Sequence, residues 1–260
     1  MRTPDETAAA LEANTSLGDL HLDDLCAAYE AMLSILSAIG PALMIQVRND
    51  NNNLRKLRAA MAATGCTTIR SLLLAEIASG VHSQGAVQTV TEPDQAITRV
   101  GGATLADPSG AMALLWLTRS LNFTLQLAEG LLRGAREVGT SEEGAALTGD
   151  EHLLVESDGD LAAELLRNQG NITSDAISTA YNNVIRPYHS WLLRKTFDMC
   201  ASQVPCFSDV VDLLGSGLGD ADREVQIMMD MGLFCKEGFP IVQIIERLFE
   251  QLMLQDLRKV

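Results

Sequence analysis

Apolar residues recur at helical spacing over most of this chain. Leu22 to Ile39 reads as one helix closed by Gly40, and Pro41 suits the first turn of a second helix running to about Ala63. In that second helix Leu43, Val47, Asp50, Leu54, Leu57 and Met61 follow a +4, +3 stripe, the spacing of a core-facing surface. Asp50 is its polar member, and a carboxylate there is costly unless something pairs with it. At about 100° per residue, Asn49, Asn53 and Lys56 collect on a different face. Thr67 or Thr68 can cap a third helix through Ile69, Leu72, Leu73, Ile77 and Val81.

The periodicity fails between residues 85 and 110, where Pro93, Gly101, Gly102 and Pro108 mark a long loop. A long helix follows from about Ser109 to Arg133, and then an acidic segment with Glu142, Glu143, Asp150, Glu151, Glu156 and Asp158, which reads as a solvated insertion over residues 138–160. Ser174 suits the cap of a helix reaching about Ala201, with Pro187 expected to kink or divide it. Helices near 207–214, 222–232 and 239–257 complete the chain. No strand alternates cleanly over more than a few residues, and no repeat occurs. The expectation is an all-α protein of about eight helices: a flexible segment over residues 1–20, then a single domain over 21–260 with loop insertions near 85–110 and 138–160.

Composition narrows the chemistry. Hydrophobic residues make up 47% of the 260 but aromatics only 4%, so the core is built from aliphatic residues and the 10 Met, which fill irregular space. A net charge of -15 argues against nucleic-acid binding and restricts any membrane contact to a local patch. Five Cys without a CxxC pair and four scattered His argue for reduced thiols and against a metal site. The acidic, Ala-rich start lacks the basic and apolar regions of a signal peptide, so a cytoplasmic protein is expected. Neither a nucleophile with a partner at family spacing nor a phosphate loop is present; Gly215 to Gly219 follows no strand and reads as a turn between helices. No catalytic residue and no cofactor is therefore expected.

Three stretches carry polar or aromatic groups in unusual company. On the face of Asn49, Asn53 and Lys56, three polar groups converge, although on these residues alone a solvated face with a local kink at the Asn run is the better explanation. Trp116 and Arg119 stand one turn apart and can flank one ligand, an indole beside a guanidinium suiting a sugar or a stacked polar head; Trp116 alone would equally be a core residue. His189 shares an inward face with Ile185, Leu192, Leu193 and Thr196, the place of a satisfied core His or of a ligand-binding one. Trp191, with Arg194 and Lys195, looks outward, as a shallow membrane contact requires.

The order of these segments resembles the glycolipid transfer protein family. The resemblance is carried by Asn49-x3-Asn53-x2-Lys56, then Leu115-Trp116-Leu117-x-Arg119-x-Leu121, then Tyr188-His189-x-Trp191, with the Gly40-Pro41 break, Arg70 through Glu76, and the closing Lys259-Val260 in support. It spans residues 22 to 260. It implies a two-layer helical sandwich enclosing an apolar lipid pocket, and movement of sphingolipids between membranes without chemistry. By this resemblance Trp116 stacks on the first sugar, Asn53 and Lys56 bond its hydroxyls, and His189 meets the ceramide amide carbonyl; Arg119, one turn from Trp116, is expected in the same headgroup site. The family places an aspartate where this chain has Asn49, so either Asn49 accepts the ceramide N–H without charge assistance or the adjacent Asp50 does.

The implied partners are a sphingolipid, most simply a glycosylceramide, and a transient membrane surface, with the protein acting as a monomer. Phosphate-headed sphingolipids such as ceramide-1-phosphate are the alternative ligand, since Arg48, Arg55, Lys56, Arg58 and Arg119 are a basic concentration in an acidic chain. A helical interaction or sensor protein that has lost transfer is the alternative from another class, supported by Asn49.

Overall fold

The computed structural model describes residues 20–39, 43–92, 95–147, 172–201, 203–217, 219 and 223–258. The flexible segment expected at 1–20 therefore lies, but for Leu20, outside the described residues, as do Gly40-Pro41, most of the acidic segment 138–160, and Lys259-Val260. The described residues form eight α-helices: α1 (Leu22–Ile39), α2 (Met44–Thr64), α3 (Ile69–Ala78), α4 (Gly110–Leu147), α5 (172–184), α6 (Trp191–Ala201), α7 (Phe207–Leu214) and α8 (Arg223–Gln251). The fold is all-α, as its periodicity requires. No helix among the described residues is long and apolar enough to cross a membrane.

Local chemistry sets most boundaries. The α2 helix ends at Gly65, whose φ of 69° is the left-handed cap conformation. Thr68 opens α3 with a reciprocal capping box to Ser71. Pro187 divides the helix expected over 174–201: α5 gives way to a 3-10 turn, Arg186–Tyr188, before α6 begins. The beginning of α5 lies upstream of Ser174, because Ile172 already packs on Gly134 of α4.

Two expectations are corrected. Most of the stretch 85–110, expected as loop, belongs to two paired antiparallel strands, β1 (Ser83–Glu92) and β2 (Gln95–Thr104). Its register shifts at Gln84 to Val87, where Gly85 takes a φ of 76°. The separate helices expected near 222–232 and 239–257 are one continuous α8 that contains Pro240. Packing outweighs the weak propensity there: a Cβ on Gly238 would lie 2.5 Å from Leu125 Cδ2, so the glycine lets α8 close on α4. The long helix also outruns its expected end at Arg133 and continues to Leu147.

The α4 helix is the shared element, with α8 and α2 packed on it, α1 on α2, and α7 bridging α1 and α8. Leu22, Leu57, Leu72, Leu114, Leu117, Leu125, Ile177, Ile245 and Leu254 are fully buried where these elements meet, each contributing roughly 1.5–3 kcal/mol. Leu43, Val47, Asp50, Leu54 and Leu57 of the α2 stripe are all buried. Glu76 ties the start of α4 to α3, accepting the Gly110 and Ala111 amides at 2.6 and 2.9 Å. Its other partner is His82 Nε2, at 3.1 Å. The C-terminal tail closes the same end: Asp256 accepts from Leu105 N at 2.9 Å and from Arg258, while Arg119 donates to the Asp256 carbonyl.

Candidate functional site

The α2 and α4 helices run antiparallel, with Asp50 of α2 meeting Ser120 of α4 and Lys56 meeting Asp107, just before α4. Asn53 lies between those two contacts, on the stretch of α2 that faces the Trp116 turn. It is 9% exposed, and among the described residues its carboxamide makes no hydrogen bond, so it keeps its donors and acceptor for a ligand. Asn49 is exposed on the same face. Lys56 is already matched, its Nζ 2.6 Å from Asp107.

Asp50 points elsewhere. Its carboxylate accepts from Ser120 Oγ, while Gln46 Nε2 donates to Ser120 Oγ at 2.7 Å and Thr124 Oγ1 at 3.1 Å. Burial pushes the Asp50 carboxyl up to about 7, against the Ser120 and Gln46 hydrogen bonds that lower it. The carboxylate that looked unpaired in sequence is thus held inside the α2–α4 interface.

The aromatic groups assemble around Trp116, which is half-buried and stands one turn before Ser120 on α4. The His189 ring stacks on it at 6.2 Å and 29°, and the Tyr188 ring meets it edge-on at 6.4 Å. The Arg119 guanidinium lies 3.5 Å from the Tyr188 ring centroid and 4.9 Å from that of Trp116, both within cation–π range. Burial lowers Arg119 to about 10, which leaves it charged at neutral pH. Beyond Arg119 opens a cleft of about 240 Å³ walled by Tyr188, Glu246, Phe249, Glu250 and Gln255.

His189 is neutral: burial first, then the Arg194 and Arg119 charges, lower it to about 4. Tyr181 Oη lies 3.1 Å from its Nδ1, and burial raises that phenol to about 12, so Tyr181 keeps its proton at neutral pH. Nε2 has no partner among the described residues, and in the tautomer in which Tyr181 donates to Nδ1 it carries the ring proton and can donate to a ligand carbonyl. His189 faces inward as its sequence position suggests, but Leu192, placed on the same face by helical spacing, is 66% exposed. The 3-10 turn at Pro187 breaks the phase between them.

The α6 helix presents Trp191, 71% exposed, beside Leu192 and Met199. Lys195 is exposed as well, with Asp198 3.8 Å away. Arg194 departs from the outward position expected for it: its Nε donates to the His189 carbonyl at 3.0 Å and its Nη2 to the Arg186 carbonyl at 2.9 Å. Sequence reasoning passed over Tyr181, Ser120, Gln46, Asp107 and Glu246. Tyr181 and His189 are eight residues apart across a helix break, and Asp50 and Ser120 are 70 apart, so local spacing carried no signal for either pair.

A profile of the family described as Glycolipid transfer protein (GLTP) matches residues 20–148 and 159–216, more than two thirds of the chain. The chain belongs to the glycolipid transfer protein family. Asn49 through Lys195 include every site residue named from the sequence, and all fall inside the match, whereas α8 and the tail that wall the cleft lie beyond it. Among solved structures, the GLTP-fold of FAPP2, described as selecting simple glycosphingolipids, is 16% identical with a TM-score of 0.64, covering 94% of this chain and 92% of that one. Mouse ceramide-1-phosphate transfer protein, in its apo form, is 16% identical with a TM-score of 0.60, covering 94% and 93%. The fungal glycolipid transfer protein HET-C2 is 17% identical with a TM-score of 0.57, covering 89% and 86%. At these identities the likeness establishes the GLTP fold. A comparison with curated protein sequences gives no match.

Proposed function

We propose that this protein binds glycosylceramides and moves them between membranes without covalent chemistry. The observation that carries this reading is the half-buried Trp116 ring with His189 stacked on it, His189 Nε2 being unspent, and with the unspent Asn53 carboxamide on the α2 helix that packs against α4. A pyranose packs its apolar face on an indole, and its hydroxyls pair with an amide. The His189 N–H suits the ceramide carbonyl, while Asp50 serves the α2–α4 interface and leaves the ceramide N–H to the exposed Asn49. Two acyl chains are costly in water at roughly 0.8 kcal/mol per CH₂, yet an apolar pocket gains almost nothing over a bilayer. Head recognition therefore supplies the selectivity, and a Leu- and Met-rich interior supplies a compliant apolar space. The exposed Trp191 and Leu192 supply the membrane contact, with a monomer sufficient for each of these tasks.

The cations favour a neutral head. Lys56 is matched by Asp107, Arg58 by Glu30 at 2.7 Å, and Arg194 by two carbonyls. Arg119 stands charged beside Trp116, and that favours ceramide-1-phosphate. Vesicle-to-vesicle transfer of glucosylceramide and ceramide-1-phosphate, measured side by side, tests the reading. Transfer of the sugar lipid is expected; transfer of the phosphate lipid alone would reverse the headgroup assignment, and transfer of neither would leave a helical interaction protein.

A further inference from the structure

The turn that carries His189 is fastened by a side chain from the neighbouring helix. Arg194 reaches back from the first turn of α6 and bridges two carbonyls three residues apart, His189 at 3.0 Å through Nε and Arg186 at 2.9 Å through Nη2. A planar guanidinium makes such a fork, and a single ammonium does not reproduce it. The same helix holds the His189 ring by a second route, because Phe197 stacks on Tyr181 at 3.5 Å and 6°, and Tyr181 bonds His189 Nδ1 at 3.1 Å. The same helix presents the exposed Trp191 and Leu192 in its first turn. One short helix therefore links the most exposed apolar surface of the site region to the ring that lies against Trp116.

We infer that Arg194 is a positioning residue that fastens the His189 turn to α6, so that seating Trp191 and Leu192 on a bilayer moves the His189 ring against Trp116. The inference rests on the carrier reading above, with His189 as the amide donor. It gives Arg194 a different task from its neighbour: Lys195 remains the cation for lipid headgroups, while Arg194 transmits the contact inward. A carrier needs such a link, since a head site that tightens or loosens only at a membrane neither strips lipid at random nor retains it on arrival.

The test uses the full chain with labelled histidine, read by NMR with and without phosphatidylcholine nanodiscs free of sphingolipid. In the wild type the His189 ring signals shift on nanodisc binding. In R194K, which keeps the charge and loses the fork, the shift is expected to vanish and glucosylceramide uptake from vesicles to slow by roughly tenfold. In R194Q the His189 titration also moves upward from about 4, because a positive charge that lowers it is gone. K195A serves as the contrast, with weaker nanodisc binding but a preserved His189 shift at saturation. Circular dichroism and melting establish that each variant is folded, and R194Q answers the question if R194K is not. A nanodisc-induced shift retained in the folded arginine variants, with uptake at the wild-type rate, overturns the inference. Loss of the shift in a protein that carries no glucosylceramide would instead support the link and defeat the carrier reading.

Discussion

Asp50 of α2 accepts a hydrogen bond from Ser120 of α4 and is 3% exposed, so the acid adjacent to Asn49 belongs to the helix interface. Its carboxyl is raised to about 7 by burial, above its ordinary value near 4 in an unfolded chain. The folded state then binds a proton that the unfolded state has released. Stability contributed by the protonated form is full below about pH 4, declines as pH rises toward 7, and is lost above it. D50N keeps an acceptor for Ser120 without a charge to bury. Urea unfolding at pH 5 and pH 8 should show a wild type that weakens with pH and a variant that does not, a difference on the order of a few kcal/mol. Parallel behaviour of the two proteins would mean that Asp50 is ionised at modest cost.

How much of this was legible in the sequence depended on the range of each contact. The α2 stripe, Thr68, Pro187 and the Leu22–Ile39 helix follow from local spacing and local caps, and each appears where the pattern places it. Trp116, Arg119 and His189 are individually ambiguous, and only their order along the chain joined them. What stayed hidden is pairing across distance. Ser120 is an unremarkable serine until α2 lies against α4, and Arg194 reads as a surface cation until the turn at Pro187 brings two carbonyls under it. The β1–β2 hairpin escaped because Pro93, Gly101 and Gly102 interrupt short runs of β-branched residues, and punctuation of that kind marks loops and bulged strands alike.

Trp116 is where sugar recognition is most exposed to test. W116A removes the stacking surface and the ring against which His189 lies, and glucosylceramide transfer should fall by tens of fold, since stacking and buried area each contribute about 1 kcal/mol or more. Helical content should be unchanged by circular dichroism, because the ring is half-buried while Leu114 and Leu117 beside it remain fully buried. Transfer at the wild-type rate would return Trp116 to the role of a packing residue.

Glu76 anchors the start of α4. Ala106 N donates to His82 Nδ1 at 3.2 Å, so His82 carries its proton on Nε2 and donates it to Glu76. Burial alone would raise the Glu76 carboxyl, but the His82 hydrogen bond and the Ala111 and Gly110 amides outweigh it and hold it below the usual carboxylate range. A lowered carboxyl stabilises the fold above its unfolded pKa and ceases to do so as pH falls through the folded one. E76Q turns an N–H toward one of these donors and should cost about 1–3 kcal/mol at pH 7, measured by chemical unfolding. The gap should close only as pH falls through the lowered folded value, where the wild-type acid becomes neutral. A gap that persists there would point to shape rather than charge.

Gly238 gives the sharpest packing prediction, because its neighbour is a branched side chain rather than open space. A Cβ added there would lie 2.5 Å from Leu125 Cδ2 and 3.1 Å from Cδ1, and Leu125 is fully buried with little room to turn. Alanine is the better helix former by up to about 1 kcal/mol, so propensity alone predicts a gain. Overpacking of this kind typically costs about 1–3 kcal/mol, and the net change should be a loss. Pairing G238A with L125A separates the two effects. Removing the Leu125 methyls creates the space the new Cβ requires, so the double variant should be more stable than the sum of the single losses, as read from urea midpoints in a double-mutant cycle. Strict additivity would show that the new Cβ and the Leu125 side chain do not press on each other, and that any loss in G238A has another origin.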